Sequence, residues 1–157
     1  YWLKLEAVRL AGYRSISVAG VRDPIMIDKI DDILKAVEVR VRDILGKDSE
    51  GSQIYFHVYG KNGVMGELEP VKKTRSHELG IVIEVVAPTQ AEADAVLALT
   101  RSVLLHYGYE GRIATAGNLA FPFSPSDVAM GKVYEFSIYH LMEVSDPAFF
   151  PVRIEQV

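Results

Sequence analysis

The chain has 157 residues, a formal net charge of −4, 49% hydrophobic and 24% charged side chains, and no cysteine. This is the composition of one ordinary globular domain, and no basic cluster exceeds Lys72-Lys73-Thr74-Arg75, so neither nucleic acid nor an anionic membrane is an expected partner. The absence of cysteine removes disulfides, thiolate metal sites, iron–sulfur ligation and cysteine nucleophiles together, and it fits a reducing, cytoplasmic setting.

The start, Tyr1-Trp2-Leu3-Lys4, has neither an initiating Met nor the charged-then-apolar order of a signal peptide. The expectation is a trimmed chain, or a piece or subunit of something longer. No apolar run approaches the roughly 20 residues that a membrane helix needs. Residues 3–18 alternate through Leu3, Leu5, Ala7, Ile16 and Val18, which predicts a first strand region with Gly12 as a bulge or bend between two short strands. Asp23-Pro24 then reads as an N-cap followed by proline at the first helical position. Ile27, Ile30, Leu34, Val37, Val41 and Ile44 continue at helical spacing until Gly46 stops the helix. Asp28, Asp31 and Asp32 lie in its first turns, where carboxylates offset the helix dipole, so they read as a solvated face.

Residues 53–59 predict a strand with Ile54, Phe56 and Val58 on one face and Tyr55, His57 and Tyr59 on the other. The glycine-rich stretch 60–67 lacks the Walker spacing. Asn62-Gly63 signals a turn, from which Lys61, Asn62 and Glu67 project. After a polar loop, residues 79–86 form a near-continuous apolar run of the kind found in central strands, interrupted by Glu84, which is either exposed on an open face or buried and paired. Thr89 and Glu92 make a capping box. The helix that follows carries Ala93, Val96, Leu97, Thr100, Val103 and Leu104 on one face and runs to about His106, with Gly108 suited to a left-handed C-terminal position. Residues 106–127 (HYGYEGRIATAGNLAFPFSPSD) are then a long polar loop with aromatic anchors, a type that is usually functional when it is ordered. A last strand spans 133–143, and a proline- and phenylalanine-containing tail at 146–152 predicts an extended segment packed onto something.

Strand, helix, strand, strand, helix, loop, strand is the ferredoxin-like βαββαβ order, an α+β sandwich with two helices on one face of an antiparallel sheet. Its other sheet face must meet solvent, a partner domain or another copy. Tyr55, His57, Tyr59 and the aromatic face of 134–142 are the candidates for it.

The segments AGVRDP (19–24), FHVYGKNGVMGELEP (56–70), HELGIVIEVVAPTQ (77–90), LLHYGYEGRIATAGNLAFPFSPSD (104–127) and VYEFSIYHLM (133–142) resemble the C-terminal part of the acyclic terpene utilisation (AtuA) family. Members of that family are much longer, so the resemblance implies a C-terminal domain or small subunit whose N-terminal region, fused or separate, is not in this chain. It further implies a role in catabolism of acyclic terpenes or organic acids, on a carboxylate or its acyl-CoA thioester. It assigns no catalytic residue and names no cofactor.

Two functional classes follow. In the first, the domain supplies one wall of an active site. Arg22, Lys61, Asn62, Arg112, Asn118 and Ser124 are then the groups to bind a carboxylate or phosphate, and His106, Glu67 or Asp127 moves a proton. Against this, Arg112 and Asn118 serve equally well to anchor the loop backbone, Ser124-Pro125-Ser126-Asp127 reads equally well as a turn, and His106 equally well complements a helix dipole. The histidines form no metal-ligand spacing. In the second class the domain is an assembly module, using its open face and tail to build a homo-oligomer or to dock the N-terminal region.

Overall fold

A computed structural model of the chain describes residues 1–156. It is α+β, with a four-stranded antiparallel sheet and three α-helices among the described residues. The strands are β1 (Trp2–Val21), β2 (Gln53–Tyr59), β3 (Leu79–Ala87) and β4 (Asp127–Glu143), in the sheet order β2-β3-β1-β4. The helices are α1 (Pro24–Asp28), α2 (Ile30–Leu45) and α3 (Gln90–His106). The chain divides into two compact units. Gly12–Val133 is one, and Tyr1–Ala11 with the residues from Tyr134 onward is the other, so β1 and β4 each belong in part to both.

The core lies in the Gly12–Val133 unit. Ile81, Ile83 and Val85, every second residue of β3, are fully buried and join Ile54 and Val58 of β2 in one cluster with both long helices. On α2 the buried residues are Ile30, Ile33, Leu34, Val37 and Val41, which is the expected stripe with Ile33 added and Ile44, expected at its end, exposed instead. On α3 they are Ala93, Val96, Leu97, Thr100 and Leu104. The helix starts follow their caps. The Asp23 carboxylate accepts from the Ile25 amide at 2.8 Å, and Thr89 and Glu92 close a capping box.

Four expectations are corrected. The helix that begins after Asp23 is divided at Lys29, whose φ of −98° and ψ of 10° separate α1 from α2 while the apolar stripe runs on through both. β1 is one continuous strand rather than two short ones, and its core side is small. Ser15, Ser17, Ala19 and Val21 are buried, whereas Ile16 and Val18 lie half-buried on the opposite face. Small residues there let α3 approach: Ser15 Oγ donates to Asp94 Oδ1 at 2.5 Å and accepts from Gln90 Nε2 at 2.7 Å. β4 begins at Asp127, six residues before the expected start, running through Gly131, whose φ is +81°. Gly108 adopts no left-handed conformation; α3 ends on Tyr107 in an extended conformation, because the loop supplies the terminus from a distance, as described below.

In the other unit, the first half of β1 and the second half of β4 form a two-stranded ribbon. β3 pairs with β1 only from Tyr13 onward, so Trp2–Ala11 has β4 as its one described strand neighbour. Arg9 Nε lies 2.6 Å from Glu135 Oε1, the Lys4 ammonium sits 4.6 Å from the centre of the Tyr139 ring, and the Val144 amide donates to the Tyr1 carbonyl at 2.8 Å. Asp146 caps a short 3₁₀ turn, Pro147–Phe149. The tail does not bury its apolar groups: Phe149, Phe150, Val152 and Ile154 stay exposed.

Candidate functional site

The sequence-nominated residues fall into three groups. Arg22 and Lys61 come together. Both line a cleft of about 400 Å³ whose far wall is the run Lys72, Lys73, Thr74, Arg75, Ser76 and His77. Two anchors hold that run in place: Arg22 Nη1 donates to the His77 carbonyl at 2.8 Å, and Ser76 Oγ donates to the Gly60 carbonyl at 2.7 Å. Lys61 Nζ pairs with Asp31 at 2.7 Å. The cleft thus holds five lysine and arginine side chains against the carboxylates Asp28 and Asp31. In a chain of net charge −4, this is a local concentration of positive potential able to attract an anion.

A second group secures the end of α3. Asn118 Nδ2 donates to the carbonyls of Leu104 (3.0 Å) and Tyr107 (2.8 Å), its own amide donates to the Leu105 carbonyl (2.8 Å), and Arg112 Nη1 reaches the His106 carbonyl (3.3 Å). These carbonyls lie at the end of the helix, where intrahelical donors run out, and among them Leu104 also accepts from the Tyr107 amide at 3.3 Å. The 106–127 loop also ties back to α1. Tyr109 Oη donates to Asp23 Oδ2 at 2.6 Å, and Lys29 Nζ donates to the Glu110 carbonyl at 3.2 Å. The phenol draws the Asp23 carboxyl below the usual carboxylate range, while burial first, then Asp23, pushes Tyr109 up to about 12.

That pair makes stability pH-dependent, with signs that follow from the two shifts. Folding lowers the Asp23 pKa, so its contribution is present above the unfolded carboxylate value and is lost as pH falls through the lowered one. Folding raises the Tyr109 pKa, so its contribution is complete below 10.0 and disappears as pH climbs toward about 12. Tyr109→Phe is predicted to cost about 1 kcal/mol near neutrality and to flatten the alkaline loss. Melting temperatures measured on both proteins across the alkaline range check this, and parallel curves would refute it.

The third group is dispersed. Glu67 is exposed in the 3₁₀ turn Gly66–Leu68, where only its carbonyl is engaged, by Lys72 Nζ at 3.3 Å. Asp127 pairs with Arg101 at 2.6 Å. Asn62 stabilises its own turn: its amide donates to the Val58 carbonyl, and its carbonyl accepts from Gly66. His106 is exposed at the end of α3, and Ser124 is exposed in the loop. None of these residues lines the cleft that holds Arg22 and Lys61.

One cluster was only half visible beforehand. On the face of the sheet opposite the core, Glu84 is 15% exposed and uses both oxygens, accepting from Arg14 Nε at 2.6 Å and meeting His57 Nε2 at 2.7 Å. Alternation places His57 and Glu84 on their faces, but Arg14 joins them only through the pairing Arg14↔Val86 and Ile16↔Glu84. The cluster links β2, β3 and β1 across the face.

A groove of about 430 Å³ also opens at the end of β1. It is lined by Val18, Gly20 and Gly80, by Ala120, Phe121 and Pro122 of the loop, and by Arg22 and Glu78 at its rim. Among the described residues no group of three or more His, Asp or Glu side chains is placed to hold a metal ion, and no helix is long and apolar enough to cross a membrane. Compared with protein-family models, with curated proteins and with solved structures, the chain matches none.

Proposed function

We propose that the chain is an assembly module, the C-terminal domain or small subunit of an AtuA-like protein of acyclic terpene or organic-acid catabolism, and that its β1–β4 ribbon joins two copies. The ribbon is the observation that carries this reading. A two-stranded ribbon is marginally stable by itself in water, and this one exposes Trp2, Val8, Leu10, Phe136, Ile138 and Leu141. Phe136 and Trp2 are each 65% exposed. By alternation Trp2, Val8 and Leu10 share one face of β1, and Phe136 and Ile138 share one face of β4, so each strand carries an apolar stripe beside its edge, the kind of surface a partner covers.

A second copy is the best-matched occupant. Both cations of the ribbon are paired within it, Arg9 with Glu135 and Lys4 with Glu6, which leaves Glu143 alone outside those pairs, so charge calls only weakly for an oppositely charged partner. A twofold contact between identical edges also satisfies the backbone of both at once. The segments 19–24, 56–70, 77–90, 104–127 and 133–142 support the family assignment. The element order with the sheet order β2-β3-β1-β4 supports the ferredoxin-like split βαβ arrangement. A cytoplasmic setting accords with the lack of cysteine.

Sedimentation equilibrium tests the joint: the expected mass is twice that of the chain, and Tyr134→Lys with Phe136→Lys should halve it without changing the circular dichroism. A monomeric parent, or a double variant of unchanged mass, would sink the proposal. A second reading, in which the domain also forms one wall of a ligand site, is favoured by the convergence of Arg22 and Lys61 in the basic cleft.

A further inference from the structure

We infer that the basic cleft and the apolar groove form one site for a soluble amphipathic anion, a phosphate-type head group on an apolar chain, with Arg22 at the junction. This deepens the reading of the cleft as a ligand wall and is independent of the ribbon. Arg22 lines both cavities, and the chain passes from one to the other at His77-Glu78. The cleft is the polar half. Lys73 and Arg75 are exposed on its rim, free to close on an oxyanion, while Lys72 reaches the Glu67 carbonyl and Arg22 and Lys61 are held by His77 and Asp31. A head group carrying more than one negative charge matches this excess of cations better than a monocarboxylate does.

The groove is the apolar half, and its floor is made by omission. Gly20 and Gly80 are paired across β1 and β3, directly beside the pair Val18↔Val82. Where every neighbouring row places side chains on that face, this row is bare between Tyr59 and the loop. A Cβ on Gly80 would meet only the Tyr59 Cβ, at 3.8 Å, so neither crowding nor backbone conformation requires glycine there. An open floor facing Phe121 and Pro122 suits an alkyl or alkenyl chain, and each cavity falls within the size range of small-molecule sites. The concave shape and the acidic net charge favour a ligand free in solution over an anionic bilayer.

The test uses titration calorimetry on the whole chain with three probes: octyl phosphate below its micelle concentration, inorganic phosphate, and octanol. Octyl phosphate should bind at least about tenfold more tightly than either other probe, because only it fills both halves. Lys73→Glu with Arg75→Glu, both on the surface, should weaken octyl phosphate roughly tenfold or more. Gly80→Val should reduce octyl phosphate to the affinity of inorganic phosphate while leaving inorganic phosphate unchanged.

Equal affinity for octyl and inorganic phosphate would refute the groove half. Binding indifferent to the charge reversals would refute the cleft half and, with it, the ligand-wall reading. Retained phosphate binding with no gain from the chain would leave that reading standing and remove only this inference. Co-flotation with phosphatidic acid vesicles, without binding of free octyl phosphate, would overturn the choice of a soluble ligand.

Discussion

Gly12→Ala is expected to destabilise the protein by about 3 kcal/mol. A Cβ at this position would lie 2.6 Å from the carbonyl oxygen of Ala87 and 3.1 Å from Val86 Cγ1, on a backbone whose φ is +153°. The clashing atom is backbone, and it belongs to the end of β3 where Tyr13 pairs with Ala87. Relief therefore requires either moving the strand end or breaking the last rung of the β1–β3 ladder. Urea denaturation should show a lowered midpoint with an unchanged slope. Gly20→Ala is the control, since its Cβ would meet nothing nearer than 3.7 Å and its cost should stay below about 1 kcal/mol. If the two variants melt together, the close approach at Gly12 is not a constraint on the fold.

Gly12 also marks where sequence reasoning worked and where it did not. β2, β3, α2 and α3 were legible because each carries its core contacts in a single period, two or 3.6, and the caps at Asp23 and Thr89 announce themselves within four residues. The core face of β1 was not legible, because the larger residues, Ile16 and Val18, are on the half-buried face while serines and alanine face the core. Hydrophobicity points the wrong way wherever helix approach selects for size instead. The start of β4 was hidden behind Gly131, and the ribbon was hidden because its pairing spans most of the chain.

The candidate site was legible in kind but not in place. Arg22 and Lys61 were nominated as anion ligands on charge alone, and nothing local says that residues 72–75 stand opposite them. Glu84 with His57 was open to alternation, but Arg14 required the β1–β3 register. The 106–127 loop left two readings open in the sequence, ligand wall and backbone anchor. Arg112 and Asn118 have the chemistry of ligand-binding groups, and the acceptors they actually serve are backbone carbonyls, which leave no mark on a sequence.

Asn118→Ala is therefore a stability experiment, with an expected cost of about 2 kcal/mol. One side chain bridges two terminal carbonyls of α3, on Leu104 and Tyr107, and truncation removes both hydrogen bonds at a site shielded enough that Leu104 itself is fully buried. Each lost bond is worth on the order of 1 kcal/mol. The adjacent Gly117 enforces the approach, since a Cβ there would fall 2.5 Å from Leu105 Cδ1, so the loop has little freedom to bring up a substitute donor. Asn118→Asp should be worse than Asn118→Ala near neutrality: a carboxylate would face carbonyl oxygens at the negative end of the helix dipole. It should recover as pH falls below roughly 4, where the acid form regains a donor. Hydrogen exchange at residues 104–109 reports the local consequence, and protection there should drop before global unfolding is affected. If Asn118→Ala instead leaves exchange and melting untouched while octyl phosphate binding is lost, Asn118 is a ligand group and the loop returns to the site. The distances to Leu104 and Tyr107 argue for the first outcome, because a side-chain amide already committed to two carbonyls has no donor left to offer a ligand.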